Sequence, residues 1–548
     1  MSLDEDSEEP MCLKTHKSLL IILFSIVCLL LFAENQMELI WENQGEHPDS
    51  EYGSSMTSMD YNGDGIDDLI VGSSYHRPES LITGKIYIYY GGDSFSTIPD
   101  LTITGNISDF LGKTVQYFGD VNGDGFDDLG LYRWDSNNEI KTVIEIYYGG
   151  VNCDSIPDFS YTIMRGSGDD EVDDIRSLYP IGDVNGDGYC DAGFILVGTY
   201  VNPYTHFYIL YGDENEPYIE FWKDTGPYRV ENEGGGSSIR EIGDINIDGF
   251  DDFIIGYFDV EELLTKNSVI YGATVIDTVI TNVIFQFTDL LPGGACCGDI
   301  NGDGVEDFIG AKRYGVSCPA LWFGGNESNA VPDIHFSNYG NYENGISYGD
   351  LNNDGYSDIV LGDPVWSLHQ GKAYFFFGNG EPNGLRDYEI EAPIITNSRF
   401  GTSISIGDFN NDGYDDIGVG APGTGTNYSG HAYVYAGNES LYDTTVSISD
   451  DINHAPTGVE FTAYPNPFNP SVKFSVKTDK SYDKLEIEIY NVKGQLVNTL
   501  KTSKMQRDQT VTWDGVDSVS KKVSSGIYLC KLTSGNATLS SIKVSLIK

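Results

Sequence analysis

The sequence repeats one nine-residue pattern, Asp-x-Asn-x-Asp-Gly-x-x-Asp, seven times. The copies begin at Asp60, Asp120, Asp183, Asp244, Asp299, Asp350 and Asp408, at intervals of 51 to 63 residues. A recurring period of this size indicates a repeat architecture in which each unit is one small supersecondary structure. Seven units in register therefore constrain the fold more than any other feature of the chain.

The repeated pattern offers oxygen ligands and contains no invariant His or Cys, which favours a hard cation. Calcium takes about six to eight oxygens from carboxylates, amides and backbone carbonyls, whereas magnesium prefers a rigid octahedron and keeps its waters. We expect side-chain oxygens from positions 1, 3 and 5, a carbonyl oxygen from position 7, and a carboxylate from position 9 that closes the shell. Gly at position 6 permits the sharp turn around the ion.

The sequence thus predicts up to seven structural calcium ions, each held by five residues. The predicted ligands are Asp60, Asn62, Asp64, Ile66, Asp68, Asp120, Asn122, Asp124, Phe126, Asp128, Asp183, Asn185, Asp187, Tyr189, Asp191, Asp244, Asn246, Asp248, Phe250, Asp252, Asp299, Asn301, Asp303, Val305, Asp307, Asp350, Asn352, Asp354, Tyr356, Asp358, Asp408, Asn410, Asp412, Tyr414 and Asp416. In the fourth copy Ile247 stands where the others have Gly or Asn. Because a β-branched residue resists positive φ, we expect this loop to be strained.

The flanking sequence separates these loops from other calcium motifs. An EF-hand needs a Glu at its twelfth position and flanking helices, and dockerin modules have two close copies that each lead into a helix. Here short β-like runs precede and follow each loop, so the loop lies inside a β-hairpin. A third strand ending in Gly and a fourth strand follow in each unit. Four strands in each of seven units predict an all-β fold, a seven-bladed β-propeller.

One unit carries a resemblance to a known family. Residues 399–425, RFGTSISIGDFNNDGYDDIGVGAPGTG, resemble the FG-GAP repeats of the integrin α-subunit propeller, and the resemblance extends over about residues 37–440. It implies that the calcium loops lie on one rim and that ligands bind at the opposite rim. To close the ring, we expect the N-terminal strand Met37–Trp41 to complete the last blade.

At least one aromatic residue follows each GAP-like strand, and these residues are candidates for the ligand surface that the resemblance implies. They are Tyr75, Trp134, Tyr200, Tyr204, Phe258, Tyr314, Trp366 and Tyr428. Exposed aromatic side chains can stack on sugar rings or anchor a protein partner. The alternative is that they cap the cores of the blades.

The N-terminal segment predicts export. An apolar run, Leu19–Ala33, follows Lys14 and Lys17 and predicts a secretory signal peptide over residues 1–33, with Met11 as an alternative start. The run is short for a membrane span, so we expect no integral span in the mature chain. A single-span anchor is the alternative.

The C-terminal segment differs in charge from the rest. Residues 457–548 contain thirteen Lys and Arg against eight Asp and Glu, whereas the whole chain has 31 against 84. This shift predicts a propeller over residues 34–446, a linker over 447–458 and a separate domain over 459–548. Its short strands predict a small Ig-like β-sandwich.

The tail also resembles the type A sorting domain of the bacterial type IX secretion system. The residues that carry this resemblance are AYPNPFNPSVKFSV from Ala463, IYNVKGQLV from Ile489 and SSGIYLCKL from Ser524. The resemblance implies recognition by the type IX secretion machinery. It further implies a secreted protein that is displayed on the outer-membrane surface or released.

The net charge, the cysteines and the lack of catalytic motifs restrict the classes of function that the chain could have. The net charge of −53 argues against nucleic acid and anionic membranes as partners. A disulfide from Cys296 or Cys297 to Cys318 stays open. The chain has no GxSxG, HExxH or P-loop pattern, so we assign no catalytic residue and do not favour an enzyme.

The preferred hypothesis is a secreted, calcium-stabilised propeller that acts as a binding or adhesion module for an extracellular protein or glycan. Two alternatives are an extracellular polysaccharide lyase or hydrolase on a propeller scaffold, and a structural surface-layer protein.

Overall fold

The structure is a computed structural model of the 548-residue chain. It describes residues 37–78, 81–135, 141–164, 172–198, 205–224, 238–259, 264–276, 290–312, 319–325, 332–336, 345–393, 397–423, 429–441, 459–464, 469, 471–478, 485–491, 496–502, 508–518, 521–524, 526–534 and 537–546. The chain divides into two compact units, Met1–Asp443 and Thr444–Lys548. The predicted signal peptide and linker lie outside the described residues.

The described strands of the first unit form seven antiparallel sheets. Strand β1 (Leu39–Gln44) comes first in the chain. The first sheet contains β2 (Tyr52–Met59), β3 (Asp68–Ser73), β4 (Lys85–Tyr89) and β5 (Leu101–Thr104). The second contains β6 (Gln116–Tyr117), β7 (Leu129–Asp135), β8 (Lys141–Tyr147) and β9 (Phe159–Met164). The third contains β10 (Val172–Gly182), β11 (Asp191–Gly198), β12 (Thr205–Tyr211) and β13 (Tyr218–Asp224).

The fourth sheet contains β14 (Ser238–Gly243), β15 (Asp252–Asp259) and β16 (Leu264–Ile270). The fifth contains β17 (Leu290–Gly298), β18 (Asp307–Lys312), β19 (Ala320–Trp322) and β20 (Ile334–His335). The sixth contains β21 (Ile346–Gly349), β22 (Asp358–Asp363), β23 (Lys372–Phe376) and β24 (Tyr388–Glu391), with a short helix α1 (Trp366–His369) between its second and third strands. The seventh contains β25 (Ile404–Gly407), β26 (Asp416–Ala421), β27 (His431–Tyr435) and β1.

Each nine-residue pattern connects the first and second strands of its sheet, as the sequence predicted. The second strand begins at the ninth residue of the pattern, or directly after it in the second sheet, and its central residues are mainly apolar. In β3, β22 and β26 every residue is buried. A continuous apolar run is expected where a strand lies inside a sheet that is covered on both faces.

The first strands of the seven sheets contact one another in order. These contacts run through β2, β6, β10, β14, β17, β21 and β25, and β25 in turn contacts β2. Strand β1 pairs antiparallel with β27, with Trp41 opposite Val434. The N-terminal strand therefore completes the seventh sheet, as we expected, and the arrangement is consistent with a propeller.

Apolar clusters fill the spaces between neighbouring sheets. The cluster between the seventh and first sheets contains Trp41, Val434, Tyr52 and Val71, all buried. Burying one large apolar side chain contributes roughly 1.5–3 kcal/mol. The contact between the two ends of the repeat array thus has a hydrophobic core of its own.

The second unit has seven described strands in two antiparallel sheets. They are β28 (Val459–Tyr464), β29 (Val472–Thr478), β30 (Leu485–Asn491), β31 (Leu496–Thr502), β32 (Asp508–Trp513), β33 (Gly526–Ser534) and β34 (Ala537–Leu546). The sheet orders are β28-β29-β32 and β31-β30-β33-β34. Both sheets contribute to one core, in which Phe474 and Trp513 from one sheet join Ile487 and Tyr528 from the other.

Candidate metal centre

The carboxylate at position 1 of each loop is oriented by backbone amides. In the first loop Asp60 Oδ1 accepts hydrogen bonds from the N–H groups of Gly63 and Asp64, at 2.9 and 3.0 Å. Its Oδ2 accepts one from Gly65 at 2.8 Å. The bonds from positions 5 and 6 recur in all seven loops at 2.8 to 3.1 Å. A carboxylate fixed in this way keeps lone pairs for an ion.

The turn around this carboxylate uses positive φ at two positions. Gly at position 6 has φ between 86° and 92° in all seven loops, and position 4 is also positive in every copy. Ile247 adopts φ 61° like its Gly and Asn counterparts. The strain expected from a β-branched residue in the left-handed region is therefore present in the fourth loop.

The Asp at position 9 ties each loop to the third strand of its own sheet. Its Oδ1 accepts the N–H of the Gly that follows that strand, at 2.8 to 3.1 Å in all seven sheets. The donors are Gly91, Gly149, Gly212, Gly272, Gly324, Gly378 and Gly437. The seven carboxylates are fully buried.

Burial changes the proton affinity of the position 9 carboxylates. Loss of hydration is the largest cause and raises the pKa of Asp128 to about 8 and that of Asp68 to about 7. The carboxylates at positions 5 and 1 of the same loop raise the pKa further, against the lowering effect of the backbone amides. A bound cation would favour the charged form of these groups.

Two loops contain buried side-chain oxygens without a hydrogen-bond partner among the described residues. They are Asn246 Oδ1 and Asp252 Oδ2 in the fourth loop, and Asn410 Oδ1 and Asp416 Oδ2 in the seventh. The amides of Ile245 and Asn410 lie near these carboxylates but do not meet hydrogen-bond geometry with Oδ2. Unpaired buried acceptors are costly, and all four occupy predicted ligand positions. The oxygen-only donor set therefore fits a calcium ion.

Position 8 contributes a link between sheets that the sequence analysis missed. Asp67, in the first loop, accepts the backbone N–H of Asp408, the first residue of the seventh loop, at 3.0 Å. Asp251 and Asp415 accept the corresponding N–H of the third and sixth loops, both at 2.7 Å, and Asp127 and Glu306 lie near those of the first and fourth. Cys190 and Ser357 occupy position 8 in the other two loops.

A second set of bonds joins each loop to the next sheet. The carbonyl at position 2 accepts an N–H from just after the third strand of the following sheet, at 2.7 to 3.0 Å in all seven cases. The acceptors are Phe409, Tyr61, Val121, Val184, Ile245, Ile300 and Leu351, and the respective donors are Gly92, Gly150, Asp213, Ala273, Gly325, Asn379 and Asn438. The bond from Gly92, in the first sheet, to Phe409, in the seventh loop, joins the two ends of the array.

The predicted ligand-surface aromatics are only partly described. Tyr75 is 37% exposed and packs edge-on against Phe110 at 5.4 Å between ring centroids. Phe110 contacts Trp134 at 5.1 Å, and Lys113 Nζ lies 4.7 Å from the Trp134 ring. The half-buried Trp366 lies under Lys372 Nζ at 4.1 Å. The side chains of Tyr200, Tyr204, Phe258, Tyr314 and Tyr428 lie outside the described part of the chain.

A polar cavity of about 360 Å³ lies between the first strands. Residues of six of the seven sheets line it, and its wall carries many hydroxyl groups, among them Ser54 and Ser405. Lys113 and Arg240 also line it, and the Arg240 guanidinium stacks on the Tyr179 ring at 3.3 Å. Lys113 lines the cavity and also contacts the Trp134 ring, so the cavity adjoins the group of Tyr75, Phe110 and Trp134.

Two further predictions concern a disulfide and a membrane span. The five described cysteines after the leader are free thiols, and Cys318 lies outside the described residues, so the possible disulfide to Cys296 or Cys297 stays a prediction. Within the described ranges no helix is both long enough and apolar enough to span a bilayer.

Family models match three parts of the chain. The FG-GAP-like repeat matches residues 60–131, the FG-GAP repeat matches residues 400–435, and the secretion system C-terminal sorting domain matches residues 462–547. The two repeat matches contain the first, second and seventh nine-residue loops. The sorting domain indicates secretion and attachment at the cell surface.

Several curated proteins are similar to parts of the chain. Phosphatidylinositol-glycan-specific phospholipase D of Bos taurus is 38% identical over 120 residues, which is 18% of this chain and 14% of that protein. Integrin alpha-PS3 of Drosophila melanogaster is 38% identical over 96 residues, 17% of this chain and 8% of its own. Integrin alpha-5 of Xenopus laevis is 24% identical over 344 residues, 53% of this chain and 30% of its own. The chain thus spans less than a third of each relative.

The geometry of the loops and these matches agree on the nature of the chain. The protein is an all-β chain with integrin-like FG-GAP repeats, followed by a secretion system C-terminal sorting domain.

Proposed function

We propose that the first unit is a closed, seven-bladed β-propeller whose loops bind structural calcium, and that it acts at the cell surface as a binding or adhesion module. The sorting unit, for which we propose an Ig-like sandwich, directs the chain to the type IX secretion machinery. The observation that carries the structural half of this proposal is the set of seven position 2 carbonyl bonds that returns from Gly92 to Phe409.

Calcium would stabilise the ring because each predicted ion lies beside the bonds that join two blades. In every loop, position 1 is a predicted ligand, and in three loops its N–H also donates to the position 8 carboxylate of the next blade. A calcium ion that fixes the position 1 residue would therefore also hold the neighbouring blade in place. Extracellular calcium modules bind at roughly 10⁻⁴–10⁻³ M, so millimolar calcium outside the cell is enough to load them.

The rim opposite the loops is the proposed binding surface. Consecutive connections in an antiparallel sheet alternate between its two ends, so the β3–β4 connection with Tyr75 lies opposite the first calcium loop. Tyr75, Phe110 and Trp134 form a continuous aromatic group there, with Lys113 against it. Partly exposed aromatic rings beside a cation are suited to a glycan or to a protein anchor residue.

A screen tests the binding role. The full chain, loaded with calcium, is applied to glycan and matrix-protein arrays, and the variants Tyr75→Ala and Trp134→Ala are compared with Tyr218→Ala as an exposed aromatic control. We expect a wild-type ligand whose binding falls at least tenfold in the first two variants only. Equal binding by all three variants would contradict the assigned surface.

The same samples separate the other two hypotheses. Shortening of a polysaccharide chain during the screen would replace the binding role by an enzymatic one. Assembly into sheets in the absence of any ligand would favour the surface-layer role. Truncation after about Asp450 tests the sorting assignment, since the truncated chain should stay inside the cell envelope and normal surface display would contradict it.

A further inference from the structure

We propose that Glu46, His47 and His76 form a binding site for a zinc-type divalent cation, separate from the nine-residue loops. One ligand atom from each residue lies within 4.8 Å of the other two. Two imidazole nitrogens and a carboxylate oxygen are the donors of many zinc sites, whereas calcium selects oxygen alone. The site therefore differs from the loops in the metal that it selects.

The two segments that carry these residues are held by backbone bonds. Glu46 and His47 follow Gly45, whose N–H donates to the carbonyl of Gly430 at 3.1 Å. His76 lies in the β3–β4 connection, where its carbonyl accepts the N–H of Thr83 at 2.8 Å.

Further bonds join the two segments to each other. The carbonyl of Ser50 accepts the N–H of Tyr75 at 3.2 Å and the hydroxyl of Ser73 at 2.8 Å. The backbone below the site is thus fixed before any ion arrives, which lowers the cost of binding.

Two neighbouring side chains orient the ligands. Tyr87 Oη lies 3.4 Å from Nδ1 of His76, so Nε2 of the same ring is left for a metal. Lys85 Nζ donates to Oε1 of Glu46 at 2.8 Å, while Oε2 faces Nε2 of His47 at 4.0 Å. Outer groups that fix one atom of a ligand and leave the other for the ion are typical of zinc sites.

Small side-chain movements would bring the three ligand atoms to the separations that zinc requires. Zinc–nitrogen bonds are about 2.0–2.1 Å, so two ligand atoms at corners of a tetrahedron lie roughly 3.3 Å apart. His76 is 4% exposed and fixed, whereas the side chains of His47 and Glu46 are 35% and 47% exposed and can rotate inward. Three protein ligands leave a fourth position for water or for an oxygen of a bound partner.

Titration with zinc chloride tests the site. Tag-free full chain is saturated with calcium so that the acidic loops are filled, and binding is followed by calorimetry. We expect one zinc ion per chain, with affinity at least tenfold lower in His47→Ala and in Glu46→Gln. His335→Ala removes an exposed histidine elsewhere and should bind as the wild type does.

A second readout uses cobalt, whose visible absorption reports nitrogen ligands. The wild type should give a cobalt spectrum that zinc abolishes and that His76→Gln lacks, with circular dichroism used to check folding. Zinc binding that is the same in His47→Ala, Glu46→Gln and the wild type would overturn the proposal. The absence of zinc binding by the wild type would also overturn it.

Discussion

Asp67 Oδ2 accepts a hydrogen bond from the backbone N–H of Asp408 at 3.0 Å, although the two residues are 341 positions apart. Asp67 belongs to the first nine-residue loop and Asp408 opens the seventh. The bond therefore joins the two ends of the repeat array at the predicted metal ligands. Its counterparts between neighbouring loops involve Asp251 and Asp415.

Replacing Asp67 by Ala should weaken this closure. The variant loses an acceptor and leaves a backbone N–H unpaired, which costs about 1–3 kcal/mol. Asp67→Asn keeps a carbonyl oxygen in the same place and should lose less. Urea unfolding of both variants in calcium measures the difference, and equal stabilities of Asp67→Ala and the wild type would show that the bond does not matter.

Trp41 should be essential for joining β1 to the seventh sheet. It is 3% exposed in the cluster between the seventh and first sheets, and its Nε1–H donates to the carbonyl of Ser96 at 2.8 Å. We expect Trp41→Ala to lower the unfolding free energy by about 3–5 kcal/mol. Leu39→Ala, at a 40% exposed position of the same strand, is the control. If both variants melt at the same temperature, β1 does not close the array.

Ile247 should make the conformation of the fourth loop less stable than that of the other six loops. Its φ of 61° is unfavourable for a β-branched residue, and its side chain is 61% exposed and packs little. Ile247→Gly should therefore stabilise the protein by about 1 kcal/mol. The control is Ile156→Gly, because Ile156 is 68% exposed and not at positive φ. A loss of stability in Ile247→Gly equal to that of the control would refute the strain.

The metal-free protein should become less stable as the pH rises. Burial raises the pKa of Asp252 and Asp416 to about 8 in the folded state, whereas the unfolded value is about 3.9. Between these values the folded state holds protons that the unfolded state has lost, so stability is present at low pH and falls toward pH 8. Thermal melts in chelator at about pH 5.5 and pH 8 measure this trend.

Asp252→Asn provides the control for the pH experiment. Asn keeps an acceptor for the N–H of Gly272, which now bonds to Asp252 Oδ1 at 2.8 Å, but has no titrating proton. In chelator the variant should be more stable than the wild type at pH 8, whereas in calcium it should bind one ion fewer. A metal-free wild type that gains stability with rising pH would contradict the burial of these carboxylates.

Part of this account was predictable from the sequence because it rests on local spacing. The pattern predicted the hairpin loops and the turn at position 6, and the need to close the ring predicted the pairing of the N-terminal strand with the seventh sheet. Position 8 was not recognised, because Asp67 is one of 84 acidic residues and its partner lies 341 positions away. The role of the Gly after each third strand was also missed, since an isolated Gly gives no signal for the carboxylate whose oxygen it binds.

The cluster of Glu46, His47 and His76 was not predicted either, because His76 lies far from the other two residues in the sequence. Glu46 and His47 are sequence neighbours, but His76 joins them only when β1 lies on the seventh sheet and the chain turns into the first. No spacing rule links these residues. Their proximity depends on backbone bonds between separate segments, such as that from Tyr75 N–H to the Ser50 carbonyl.

Calcium removal tests the central claim most directly. The melting temperature of the full chain is measured in millimolar calcium and in excess chelator, and bound ions are counted by elemental analysis. At tenfold excess over its dissociation constant each site contributes about 1.4 kcal/mol, or about 10 kcal/mol for seven. We predict up to seven ions per chain and a fall in melting temperature of at least about 10 °C in chelator. An unchanged melt, or a chain that takes up no calcium at equilibrium with millimolar calcium, would contradict the account.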